Sequence, residues 1–120
     1  MRGIDISSYA ILNAKEEVKG FLEVGNASHL PYRDKSFDLV LSVNTLHNLY
    51  CYDLQKALRE LMRVGLRHKF ICVESYRNEQ QKANLLYWQL TCMSFHTPEE
   101  WAWLYREWGY TGDYGFIVFE

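Results

Sequence analysis

Four polar clusters, each following an apolar run, hold side chains in this sequence that can do chemistry. They are Asp5-Ile6, Asn26-Ala27-Ser28, Asn44-Thr45-Leu46-His47 and Glu74-Ser75-Tyr76-Arg77. Ligands of open α/β sheets bind outside the carboxyl ends of the strands, so these positions are the natural ones for a site. Asp5 can accept two hydrogen bonds from vicinal hydroxyls, each contributing about 1.5–3 kcal/mol to a charged acceptor. Equally, it can be a surface carboxylate favoured by a helix dipole. Ile6 can press on a flat ring or join a core. Asn26 can accept through its amide oxygen or serve as a turn residue. His47 titrates near neutral pH and can act as a general base, or it can pack or cap. Glu74 and Tyr76 can orient a bound acceptor or simply start a helix.

The elements that position these clusters follow from periodicity. Met1–Ile6 reads as a strand, and Ser7 or Ser8 can cap a helix with Ile11, Ala14 and Val18 on one face, closed by Gly20. Phe21–Val24 is a second strand, and Ser28–Lys35 a loop. Phe37–Val43 is nearly all apolar, which predicts a central strand covered on both faces. Asp53 can cap a helix whose Leu54, Ala57, Leu58, Leu61 and Met62 form one stripe, with Gly65 as its stop. Lys69–Val73 is a further strand and 79–93 a helix. Thr97-Pro98-Glu99-Glu100 is a strong helix start before Trp101, Leu104, Tyr105 and Trp108, and Gly109 closes that helix. Tyr110–Glu120 reads as a last strand. Strands alternating with helices imply a mostly parallel sheet. The last strand, lacking a long crossover, is expected to be antiparallel.

Taken together, Gly3-Ile4-Asp5-Ile6-Ser7, Gly25-Asn26-Ala27 with Leu30-Pro31-Tyr32, Ser36-Phe37-Asp38-Leu39-Val40-Leu41-Ser42 and Leu46-His47 resemble the class I S-adenosylmethionine-dependent methyltransferases. The resemblance runs from residue 2 to the C-terminus and implies a Rossmann-like α/β fold with helices on both faces. It implies S-adenosyl-L-methionine as cofactor, with Asp5 on the ribose, Ile6, Asn26 and Ala27 near the adenine, and Asn44, Thr45 and Leu46 beside the reactive centre. An unidentified methyl acceptor would lie near Glu74 and Tyr76. The family's opening strand and glycine-rich loop have no counterpart here. Residues 1–120 therefore read as a single methyltransferase-like domain that is N-terminally incomplete, expected to be an excerpt of a longer protein. If the family's sheet order applies, a gap is expected between the strands carrying Asp5 and Asn44.

Composition narrows the alternatives. At 120 residues, 48% hydrophobic and 16% aromatic, the chain can bury a core, and a net charge of -2 gives no global pull toward nucleic acid or membrane. Lys56, Arg59, Arg63, Arg67 and Lys69 are interleaved with acids and read as a solvated face. Three scattered cysteines and four unpaired histidines suggest neither a disulfide framework nor a metal site. Without an apolar leader or spanning segment, the expectation is a soluble, cytoplasmic protein. Trp88, Trp101, Trp103 and Trp108 can line an aromatic acceptor pocket, though aromatics at helical spacing usually form core. The alternative from another class is a non-enzymatic interaction domain that pairs with itself or a partner through exposed strand edges. A nicotinamide dehydrogenase ranks last, because no Gly-x-Gly-x-x-Gly is present.

Overall fold

A computed structural model describes residues 1–120. The order is β1 (Gly3–Asp5), α1 (Ser8–Leu12), α2 (Glu16–Lys19), β2 (Leu22–Val24), β3 (Phe37–Val43), a 3-10 turn (Leu46–Asn48), α3 (Cys51–Val64), β4 (Gly65–Glu74), α4 (Glu79–Trp88), α5 (Pro98–Glu107) and β5 (Asp113–Ile117). This is the α/β, parallel-stranded, Rossmann-like architecture expected. The sheet is in two pieces: β1 pairs with β2, and β3, β4 and β5 form a second sheet with β4 in the middle. No ladder joins β1 to β3, so the gap expected between the strands carrying Asp5 and Asn44 is present.

The core lies on one face of the three-stranded sheet. Leu54, Ala57, Leu58 and Leu61 of α3 and Trp101, Leu104 and Tyr105 of α5 pack there with Ile71 and Val73 of β4. Each fully buried side chain of this size contributes about 1.5–3 kcal/mol. Helix α5 begins as its sequence requires: Thr97 Oγ1 accepts from the Glu100 N–H, and the Glu100 carboxylate accepts from the Thr97 N–H. Gly65 lets α3 pass directly into β4. A Cβ there would meet the Leu61 carbonyl oxygen at 3.0 Å and the Lys69 side chain at 2.8 Å.

Several expectations are corrected. The last strand is parallel, with Phe70 opposite Asp113 and Glu74 opposite Ile117, because α4 and α5 return the chain to the level of Phe70, midway along β4, before β5 begins. It is also shorter than expected: Tyr110 belongs to the turn after α5, where its N–H bonds the Tyr105 carbonyl. The first helical stretch divides at residues 13–15 into α1 and α2, neither with a buried residue. Helix α3 starts at Cys51, which places Asp53 in its first turn instead of at the cap. The helix over 79–93 ends at Trp88. Strand β3 is only half covered. Leu39, Leu41 and Val43 are 54%, 61% and 55% exposed, while Val40 packs against the core. No helix is long and apolar enough to cross a membrane.

Candidate functional site

Strands β1, β2 and β3 each end in one of the expected clusters. Asp5 closes β1, and its Oδ1 accepts the Ser7 N–H at 2.8 Å while Ser7 Oγ caps α1. Asp5 and Ile6 are exposed, and Ser7 is half-buried. After β2, Asn26 Oδ1 accepts from the Ser28 N–H at 2.9 Å and the Ser28 hydroxyl at 2.8 Å. Its acceptor oxygen is thus occupied by its own turn, leaving the amide nitrogen as the free group. After β3, Asn44 adopts a left-handed backbone, φ 55°, which asparagine tolerates better than most residues. Its N–H bonds the Cys72 carbonyl, and the Thr45 hydroxyl bonds the Val43 carbonyl.

Between β1 and β3 runs a cavity of about 270 Å³. Ile4, Ala27, Val43, Thr45 and Leu46 line it, so three of the expected site residues share one wall system. Asp5, Ile6, Asn26 and Asn44 are not on its lining; Asp5, Asn26 and Asn44 each adjoin a residue that is, and Ile6 lies one position further out. The cavity also extends along β3 to Phe37 and Tyr32, and its shape is that of the gap between the two sheets.

Arg63 fixes the loop on the far side of that cavity. Its guanidinium donates to both Glu60 carboxylate oxygens, to Asp34, and to the carbonyls of Tyr32 and Leu30. Glu60 in return accepts the Leu30 N–H at 2.7 Å. The hydrogen bond from Arg63 holds the Glu60 carboxyl below its usual range. Arg63, read from sequence as part of a solvated basic face, is a clamp on the 30–34 loop.

The cluster after β4 turns inward. His47 and Glu74 are both buried, with His47 Nε2 3.1 Å from Glu74 Oε2. That contact is off-line for a hydrogen bond, and Oε2 has no other partner. His47 Nδ1 accepts the Glu74 N–H at 3.3 Å, which places the proton of the neutral ring on Nε2. The Gln89 amide donates to Oε1 at 2.8 Å. Burial lowers the His47 pKa to about 4 and raises that of the Glu74 carboxyl, favouring the neutral form of each. Tyr76 stands at the same end of β4, with the Lys82 ammonium 5.4 Å over its ring.

Comparison with known proteins decides the family. Residues 1–72 match the family described as "Methyltransferase domain". The chain belongs to that family. The methyltransferase domain is 33% identical over 101 residues to the tRNA (carboxymethyluridine(34)-5-O)-methyltransferase of Arabidopsis thaliana, covering 83% of this chain and 24% of that one. It is 38% identical over 60 residues to the norajmaline N-methyltransferase of Rauvolfia serpentina, covering 50% and 20%. With the demethylmenaquinone methyltransferase of Lactiplantibacillus plantarum it shares 35% over 88 residues, covering 65% and 35%. The chain thus spans a fifth to about a third of the length of these relatives. The crystal structure of the YcgJ protein from Bacillus subtilis superposes with a TM-score of 0.67 at 21% identity, covering 88% of this chain and 50% of that one.

Asp5 has a second carboxylate oxygen free for a hydroxyl, and Ala27 and Leu46 offer apolar walls. No glycine-rich loop stands beside the cavity to hold an amino-acid tail. The tryptophans do not form a pocket: Trp101 is core, Trp108 packs against it, and Trp88 and Trp103 are exposed at separate places. The strap 89–96, whose first residues read as part of a helix, holds the turn after β3 through hydrogen bonds to residues 47–49, and sequence reading missed that contact. Its signal is weak, because Gln89, Thr91 and Ser94 carry no periodicity.

Proposed function

We propose that this domain is the nucleoside-binding and acceptor half of an S-adenosylmethionine-dependent methyltransferase. The observation that supports the reading most is the sharing of one cavity by Ala27, Thr45, Leu46 and Ile4, the residue before Asp5. In this reading Asp5 accepts from ribose hydroxyls. Ile6 and Ala27 press on the adenine, and Asn26 meets its edge through the free amide nitrogen. Asn44, Thr45 and Leu46 form the floor beside the reactive centre and keep water out. When bound, the cofactor supplies an already activated methyl group, so the protein's task is alignment of nucleophile and donor. Glu74 and Tyr76 stand on the acceptor side. His47 does not serve as general base here, since both ring nitrogens face Glu74.

The test is amide chemical-shift mapping with S-adenosylhomocysteine. Shifts confined to residues 5–7, 26–28 and 44–46 support the proposal; none at millimolar ligand, or shifts confined to β5 and α5, refute it. A second reading is favoured by one observation, the exposed Leu39, Leu41 and Val43 beside unpaired strand edges. In it the domain self-associates through the incomplete sheet, and sedimentation velocity across concentrations distinguishes the two.

A further inference from the structure

Apart from any part Glu74 takes at the acceptor side, its buried contact with the His47 imidazole joins the turn after β3 to the end of β4 and the strap 89–96. One ring, His47, accepts the backbone N–H of Glu74 at Nδ1, and its Nε2 lies 3.1 Å, off-line, from the Glu74 carboxylate. The His47 carbonyl accepts two N–H groups of the strap, from Met93 and Ser94. Around it the Gln89 amide donates to Glu74 and the Ser94 hydroxyl to the Leu49 carbonyl, while the Thr91 and Asn48 side chains share a bond. The Ser75 hydroxyl closes the far end on the His96 carbonyl.

We infer that His47 and Glu74 are positioning residues: their contact locks the loop carrying Asn44–Leu46 to the strap 89–96, holding the loop, and with it the Leu46 wall of the cavity, in one place. An apolar pair would fill the same volume without the desolvation penalty of two titratable groups, so stability alone does not call for them. What the pair adds is direction, because the Nδ1 lone pair accepts the Glu74 N–H in only one placement of the ring. Leu46, next to His47, carries that placement into the cavity wall. The consequence for ligand rests on the methyltransferase reading; the lock itself rests on the hydrogen bonds.

The test is hydrogen exchange on the full chain, with S-adenosylhomocysteine titration beside it. In His47→Ala and in Glu74→Ala the Met93, Ser94 and Asn44 amides should exchange about tenfold faster or more, with the Gly25 amide between β1 and β2 unchanged. His47→Asn keeps an acceptor at the Nδ1 position and His47→Gln a donor at the Nε2 position; each should restore part of the protection. Affinity for S-adenosylhomocysteine should fall about threefold or more in His47→Ala and partly recover in His47→Asn. Strap amides at the wild-type rate in all variants, or acceleration that includes Gly25 equally, overturn the lock. If the unaltered chain takes up no S-adenosylhomocysteine, the cofactor reading fails and the exchange data still judge the lock.

Discussion

Replacing His47 by Gln should change how stability depends on pH, with a sign fixed by burial. The folded His47 has a pKa of about 4 against an ordinary 6.5. Between those values the unfolded chain binds a proton that the native one does not, so stability rises with pH across this window. The contribution is fully present above about pH 6.5 and is lost as pH falls through about 4. At 1.36 kcal/mol per pKa unit the difference of two and a half units amounts to about 3 kcal/mol. Glu74 works in the opposite sense: burial raises its pKa, so its contribution is present at low pH and declines as pH rises through the folded value. Comparing variants separates the two. Urea unfolding followed by tryptophan fluorescence, at half-unit steps from pH 4 to 7, gives the stability of each chain. Wild type minus His47→Gln should climb by about 1.4 kcal/mol per pH unit at its steepest, and wild type minus Glu74→Gln should fall. A flat His47 difference curve, or one that climbs on acidification, refutes the burial argument.

Other perturbations follow from packing and contacts. Leu58→Ala removes a fully buried side chain at the centre of the core and should cost about 2–5 kcal/mol in denaturant unfolding. Arg63→Met removes the clamp on the 30–34 loop, and the Leu30 amide should lose exchange protection while amides within α3 keep theirs. Leu41→Lys places a charge on the open face of β3 and should reduce any concentration-dependent association seen by sedimentation velocity.

The elements were legible where one local rule governed them. The stripe of α3, the Thr97 cap of α5 and the apolar run of β3 each carry a period or a cap that neighbours do not override. The direction of β5 was not, because direction depends on where α4 and α5 deliver the chain. Nor was the exposure of Leu39, Leu41 and Val43, since an apolar run cannot report that its covering layer is missing. The site was half legible. Asp5, Asn26 and Asn44 stand at strand ends as expected, but Asn26 Oδ1 is taken by Ser28, a pairing its turn propensity only hinted at. His47 reads as a general base or a packing or capping residue, and Glu74 as an acceptor-orienting group or a helix start. Their mutual burial arises from residues 27 apart brought together by parallel pairing of β3 and β4, which periodicity does not encode.

The central claim is that the carboxyl edge of β1, β2 and β3 holds a nucleoside. Calorimetric titration of S-adenosylhomocysteine into the wild-type chain and Asp5→Ala tests it directly. The account predicts heat from the wild type and an affinity weakened about tenfold or more in the variant, roughly 1.4 kcal/mol. No heat at millimolar ligand, or equal affinity in both chains, would contradict it.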